Sequence, residues 1–279
     1  MTITIIGTGL IGGSMALALK DLGIAEKVIG VDANKEHIIK ALELGIIDES
    51  ADMVEAVKQS DLIIVAIPVH STEELLPLIM DHVNTQVVMD VSSTKEPILN
   101  AIKHHPKRSR FVGTHPMWGT EYSGPEAAVR DAFTGKVTVI SGKNESDKDA
   151  VEMVEDIYHK LGMRIIYMDP SAHDVHAAYV SHISHITSFA LANTVLEKEK
   201  EESAIFDMAS AGFESTVRLA KSNPAMWVQI FMQNRENILD VLNEHISQLR
   251  KFKSCLEKEN EEYLTELIDN ANKIRKILK

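Results

Sequence analysis

The first 170 residues alternate short, mainly apolar runs with stretches of helical periodicity. Ile3–Ile6, Val28–Val31, Leu62–Ile67 and Val87–Val91 have strand length and the composition of strands covered on both faces. Between them, Leu10–Leu22, Lys35–Leu44 and Ser71–His82 place apolar residues at helical spacing. Gly23 and Gly45 follow the first two, and glycine just past a helix is a stop signal. Phe111–Gly113, Val137–Ile140 and Arg164–Tyr167 add further strands, with a helix from about Ser146 to Leu161. This alternation predicts an α/β domain of Rossmann type, with a doubly wound, mostly parallel sheet.

The pattern changes at Asp169-Pro170-Ser171. Beyond it only Gly212 and Pro224 interrupt long helical stretches, which predicts two domains, an α/β domain over 1–170 and an all-α domain over 171–279. Glu197–Glu202 is a charge run that fits a solvated helix end. From Met226 to Leu278 apolar residues recur at helical spacing, among them Ile230, Ile238, Val241, Leu249 and Ile274. One small helical domain has little room for so many apolar faces, so these helices are expected to form a homodimer.

Composition narrows the function. With 44% hydrophobic and 25% charged residues, the 279-residue chain reads as globular. A formal net charge of -12 without a Lys/Arg block argues against a nucleic-acid partner. It also requires that any site for an anionic ligand be built from local positive groups. Cys255 is the only cysteine, so no intrachain disulfide can form, as expected in a reducing compartment. The first residues lack a basic segment leading into an apolar one, and no apolar run reaches the roughly 20 residues that span a bilayer. The expectation is a cytoplasmic protein with no membrane association.

Gly7-Thr8-Gly9-Leu10-Ile11-Gly12 fits G-x-G-x-x-G between a predicted strand and helix, the context in which the motif binds a dinucleotide. Gly7 permits the tight turn, Gly9 a close approach of pyrophosphate, and Gly12 close packing of helix on strand, while the helix N-terminus at Leu10 and Ile11 offers N–H donors. Asp32 ends the second strand, 20 residues after Gly12. A carboxylate there accepts the ribose hydroxyls and repels the extra phosphate of NADP, so NAD is the expected cofactor. Pro68 follows the fourth strand and is expected to shape the loop beneath the cofactor.

Three further segments carry chemistry. Asp90-Val91-Ser92-Ser93-Thr94-Lys95 offers hydroxyls and an ammonium at the carboxyl end of the sheet, where ligands bind in open α/β folds; Ser93 could equally cap a helix. Gly113 to Pro125 reads as a loop after a strand and holds one histidine, His115. His173-Asp174 precedes Ser181-His182-Ile183-Ser184-His185, in which His182 and His185 share a helix face. No Cys is nearby and His-Glu-x-x-His is absent, so a polar, sometimes cationic wall for an anionic substrate is expected rather than a metal site.

These segments, with Ala211-Gly212-Phe213-Glu214-Ser215-Thr216-Val217-Arg218 and Asn223-Pro224-Ala225-Met226-Trp227, resemble the prephenate dehydrogenase family over nearly the whole chain and in the same order. The resemblance implies a first domain that binds NAD(P), a helical domain that dimerises, and substrate between them. It implies that His115 is the catalytic histidine and that Ser93 bonds near the substrate hydroxyl. It further implies that Arg218 grips a substrate carboxylate, Glu121 is a gating acid and His185 lines the pocket; the Lys95 ammonium, read from its own segment, is a further candidate cation for the substrate. His173, His182 and Trp227 match motif positions with supporting roles. Where the family often carries Gly-Gly-Phe-Arg-Asp-Thr-Thr-Arg, Ala211 replaces a glycine and Glu214-Ser215 an Arg-Asp pair, which bears on substrate preference and tyrosine feedback.

The implied reaction is NAD-dependent oxidative decarboxylation of prephenate to 4-hydroxyphenylpyruvate in tyrosine biosynthesis. Its rivals are the same chemistry on arogenate, for which an acidic residue such as Glu214 would suit the amino group, another two-domain dehydrogenase, and a non-catalytic NAD sensor. A β-hydroxyacid dehydrogenase generally places a catalytic lysine where this chain has histidines. Retention of His115, Ser93 and Arg218 together argues against a sensor.

Overall fold

The computed structural model describes residues 1–201 and 204–277. Glu202, the last residue of the charge run, and Leu278, the last of the apolar series, lie outside the described residues, as do Ser203 and Lys279. By contacts the chain divides into two compact units, Met1–Asn234 and Arg235–Lys279.

The first unit is built on an eight-stranded sheet, β1 (Thr2–Ile6), β2 (Lys27–Val31), β3 (Glu49–Ser50), β4 (Leu62–Val65), β5 (Val87–Asp90), β6 (Phe111–Pro116), β7 (Val137–Ser141) and β8 (Arg164–Met168), in the order β3-β2-β1-β4-β5-β6-β7-β8. Helices α1 (Leu10–Asp21), α2 (Lys35–Glu43), α3 (Met53–Gln59), α4 (Val69–Asp81), α5 (Glu96–Ala101) and α6 (Lys148–Lys160) lie between the strands. The strand residues alternate between two apolar layers. Ile3, Ile5, Leu62 and Ile64 join one core cluster, while Ile6, Ile63 and Val65 join the other. Such strands cannot show a polar face, which is why they read as apolar runs. Gly23 and Gly45 have φ of +67° and +66°, the left-handed turn that glycine adopts at least cost.

The doubly wound sheet is as expected, with refinements. β7 runs antiparallel to β6, a direction that apolar content does not encode. β3 has two residues and α5 six, too short to leave a periodicity. β6 runs through His115 and Pro116, pairing His115 with Val139, so the histidine stands on a strand where a loop was expected.

After β8, Asp169 caps α7 (Pro170–Ala177) by accepting from Ser171 and Ala172 N–H, with Pro170 in the first turn, where a missing N–H costs nothing. α7 passes through a wide π turn, Ala178–His182, into α8 (Ile183–Glu199). Nine residues apart, His173 and His182 would lie on opposite sides of a regular helix, yet both are buried, and the π turn between them absorbs the extra residue. π turns of this kind are frequent at functional sites. α9 (Ala211–Val217) and α10 (Pro224–Gln233) complete the unit. Trp227 and Ile230 of α10 pack with Val69 of α4.

The second unit holds α11 (Arg235–Glu257) and α12 (Glu261–Asn272), which pack on each other. Leu249, Leu256, Ile274 and Ile277 are exposed. No helix among the described residues is long and apolar enough to cross a membrane.

Candidate active site

Every candidate site residue lies in the first unit, and most stand at the carboxyl ends of its strands. The strand order reverses direction between β1 and β4, and in such sheets the crevice at the reversal is where ligands bind. Gly7 follows β1 with φ +96°, and a Cβ on it would lie 2.4 Å from Ala66 O, just after β4. A Cβ on Gly12 would lie 2.1 Å from Gly7 O. Both positions therefore exclude any side chain. Gly9 differs: among the described residues, nothing beyond its own chain neighbours and helix lies within 4 Å of where its Cβ would be. It is the N-cap of α1 without a side-chain cap bond, so the first-turn N–H groups at Leu10 and Ile11 face an uncapped end. An open glycine before uncapped N–H donors fits a dinucleotide pyrophosphate.

Asp32 follows β2 and accepts from Thr8 N–H at 2.9 Å, the Thr8 hydroxyl at 3.1 Å and Asn34 N–H at 2.9 Å. It does not cap α2, since Asn34 does so through Glu36 N–H. Its carboxylate is thus anchored to the glycine loop. Pro68 precedes α4 as its N-cap residue, and the Thr72 hydroxyl donates to the carbonyls of Ile67 and Pro68.

The second group gathers beside β5 and β6. Asp90 and Lys95 are fully buried and paired. Asp90 also accepts from Thr114 N–H at 3.0 Å and Ser92 N–H at 3.1 Å, and Lys95 donates to Thr114 O at 2.6 Å. Lys95 therefore ties the ends of β5 and β6 together beneath His115. This corrects the expectation of a cation facing the substrate, because its donors are directed into the protein. Ser93 is partly exposed, and its hydroxyl has no partner among the described residues. It does not cap α5 either. Asp174, 79 residues away, accepts from Lys95 N–H at 2.8 Å and Glu96 N–H at 2.9 Å.

His115 is 8% exposed. Burial first, then the proximity of His173, Lys95 and His182, holds its pKa well below the ordinary 6.5. Its Nδ1 lies 2.8 Å from His173 Nε2, and His173 Nδ1 lies 2.7 Å from Asp174 Oδ1. Asn234 Nδ2 donates to Asp174 O at 2.7 Å and lies 3.1 Å from His182 Nδ1. Burial pushes His182 down to about 4 against the pull of Asp174. Burial also lowers His185, and Arg218 adds to this against the raising effect of Ser181 O. The polar wall of histidines expected here therefore lies on its uncharged side. His185 stacks on Trp227 with ring centroids 3.4 Å apart.

Positive charge enters instead through Arg218. It lies 3.5 Å from Glu121, with side-chain exposures of 53% and 19%, and not beside its helix neighbour Glu214. The pair joins the segment after β6 to the end of α9. His173, given a supporting role in the sequence, and Asp174, given none, are central to the buried network. The available signal was an adjacent His-Asp pair opening a helix after Asp169-Pro170.

A glycine turn at the strand-order reversal, an anchored acid after β2 and a buried neutral histidine at the end of β6 define a two-segment pyridine-nucleotide dehydrogenase. Residues 15–167 match the family model described as prephenate dehydrogenase, nucleotide-binding domain, and residues 169–270 the one described as prephenate dehydrogenase, dimerization domain. The chain belongs to the prephenate dehydrogenase family. It is 34% identical to the prephenate dehydrogenase of Bacillus subtilis (strain 168), over 98% of this chain and 75% of that one. Its fold matches a crystal structure of prephenate dehydrogenase from A. aeolicus in complex with hydroxyphenyl propionate and NAD+, with TM-score 0.91, 31% identity, and coverage of 100% of this chain and 98% of the other. The arogenate dehydrogenase of Synechocystis matches with TM-score 0.78 at 25% identity over the whole of both chains.

Proposed function

We propose that this chain catalyses NAD-dependent oxidative decarboxylation of prephenate to 4-hydroxyphenylpyruvate. The observation that carries the reading is His115, a buried neutral imidazole at the carboxyl end of β6, in the same sheet as the glycine turn. Prephenate carries a 4-hydroxyl on a cyclohexadiene ring, a ring carboxylate and a side-chain carboxylate. NAD, when bound, supplies the acceptor for the hydride leaving C4. Gly9 and the N–H groups at Leu10 and Ile11 would hold its pyrophosphate, Gly7 and Gly12 giving the turn and the close packing that leave room for it, while Asp32 would hold the ribose and Pro68 shapes the loop beneath. His115 Nε2 accepts the hydroxyl proton, which an imidazole neutral at pH 7 can do. Ser93 orients the same hydroxyl. Arg218 holds a carboxylate through its planar fork, and His185 on Trp227 forms an uncharged wall beside it. Glu121 occupies Arg218 until substrate arrives. Loss of carbon dioxide aromatises the ring and drives the reaction forward.

The functional division falls near residue 170, with substrate between the sheet and the helices that follow it. The exposed apolar residues of α11 and α12 pair two copies into a homodimer, which acts in the cytoplasm. NADH formation from prephenate and from arogenate, each with NAD and NADP, tests the reading. Prephenate with NAD is expected to give the highest kcat/KM. A higher value for arogenate would assign the amino-acid substrate, with exposed Glu214 as the residue to replace next.

Cofactor choice tests Asp32. Asp32→Ala removes both the ribose acceptor and the anchor of Thr8, so the Kd for NAD is expected to rise and the preference over NADP to shrink. Equal kcat/KM with NAD and NADP in the unaltered protein would remove Asp32 from this role.

A further inference from the structure

We infer that His173 and Asp174 form a positioning relay that sets the tautomer of His115, so that its Nε2 bears the lone pair. The inference rests on the reading of His115 as the base. Asp174 presents its carboxylate to three donors: Lys95 N–H and His173 Nδ1 meet Oδ1, and Glu96 N–H meets Oδ2. Ionised, it can only accept, so His173 Nδ1 carries a hydrogen. Neutral His173 then has its lone pair on Nε2, which faces His115 Nδ1 at 2.8 Å. His115 Nδ1 must supply the hydrogen of that bond, which leaves Nε2 free to take a proton. The tautomer of an imidazole is set by the bond its other nitrogen makes, and here that bond is two residues deep.

The relay is built to hold its shape. His115, His173 and Asp174 are all nine-tenths or more buried. Asp174 is fixed by the first N–H groups of α5 on one side, and its own carbonyl accepts from Asn234 on the other. The rings of His115 and His173 meet edge on, with centroids 5.1 Å apart and planes at 67°. When His115 takes the hydroxyl proton, its Nδ1–H still points to His173, and the carboxylate two bonds away offsets the new charge. The same carboxylate joins the helix after β8 to the segment that presents Ser93, so the base and the hydroxyl beside it are held from one point.

The test is spectroscopic and kinetic. In full-length protein labelled with 15N-histidine, long-range 1H–15N correlations at pH 8 report each tautomer, and His115→Asn identifies the His115 signals. His115 is expected as the Nδ1–H form, the opposite of the usual preference of a free imidazole. His173→Leu is expected to release it to the Nε2–H form and lower kcat by about tenfold to a hundredfold with the Kd for NAD unchanged. His173→Gln, whose amide oxygen can accept the same hydrogen, is expected to restore most of the kcat. An Nε2–H form in the unaltered protein, as a protonated His173 would impose, overturns the relay whether or not the leucine variant folds. So does a leucine variant of normal kcat, or a glutamine variant as impaired as the leucine one. Failure of the underlying reading is distinguishable, since it would show as normal kcat in His115→Asn whatever the tautomer.

Discussion

His115→Asn is expected to lower kcat by about 10²–10⁴-fold, the usual contribution of a positioned general base. Asparagine keeps a polar side chain of similar reach at the end of β6 but cannot take a proton from the substrate hydroxyl. Nothing in the glycine loop or at Asp32 depends on the ring, so the Kd for NAD should hold. The pH dependence has a definite sign. Only the neutral imidazole is a base, so activity rises with pH through the pKa of His115. That pKa is held well below 6.5 by burial first, and then by the proximity of His173, Lys95 and His182. The acid limb of kcat therefore belongs below pH 6.5, and the profile should be flat through neutrality where an exposed histidine would still be titrating. An acid limb centred at or above pH 6.5, or an asparagine variant with near-normal kcat, would assign the base elsewhere.

What could be read in advance follows from how locally each feature is determined. The apolar strands, the helices ending at Gly23 and Gly45, and the glycine loop are written in consecutive residues, because burial on both faces and left-handed turns constrain nearby side chains directly. β3, α5 and the reversed direction of β7 depend on neighbours that are distant in the chain. The site shows the same division. His115 and Arg218 stand out as candidates from their motifs, whereas the buried place of Lys95 does not. A lysine after a strand reads as a surface cation, and only the pairing of β5 with β6 brings Asp90 and the Thr114 carbonyl around it. The π turn that brings His173 and His182 both into the buried network leaves no pattern in residue type. The helix cap from Asp174 to Lys95 and Glu96 spans the fold and has no local signature at either end.

Arg218→Gln is expected to raise KM for prephenate well over tenfold with the Kd for NAD unchanged. Net charge of -12 means that the dianionic substrate meets an unfavourable field until it reaches a local cation. Lys95 is fully buried and paired, and His182 and His185 are held neutral, so Arg218 is left as the cation at the substrate end of the site. In the structure it pairs with Glu121 at 3.5 Å while its side chain remains half exposed. An exposed pair at that separation is worth about 0.2–1 kcal/mol, so a structural role predicts a melting temperature lowered by a few degrees at most and an unchanged KM. Loss of a charge-assisted carboxylate contact costs roughly 2–5 kcal/mol, because the partner anion is left unpaired, and each 1.4 kcal/mol or so is tenfold in affinity. If the contact is equally strong in the ground and transition states, the loss falls on KM and spares kcat. Glu121→Gln separates the partners: it removes the carboxylate that competes for Arg218, so KM should stay level or fall. A rise in KM as large as that of Arg218→Gln would show instead that the pair works as a unit to shape the site. An unchanged KM in Arg218→Gln would leave the surface pair as its whole role and require a cation from the partner copy to hold the substrate.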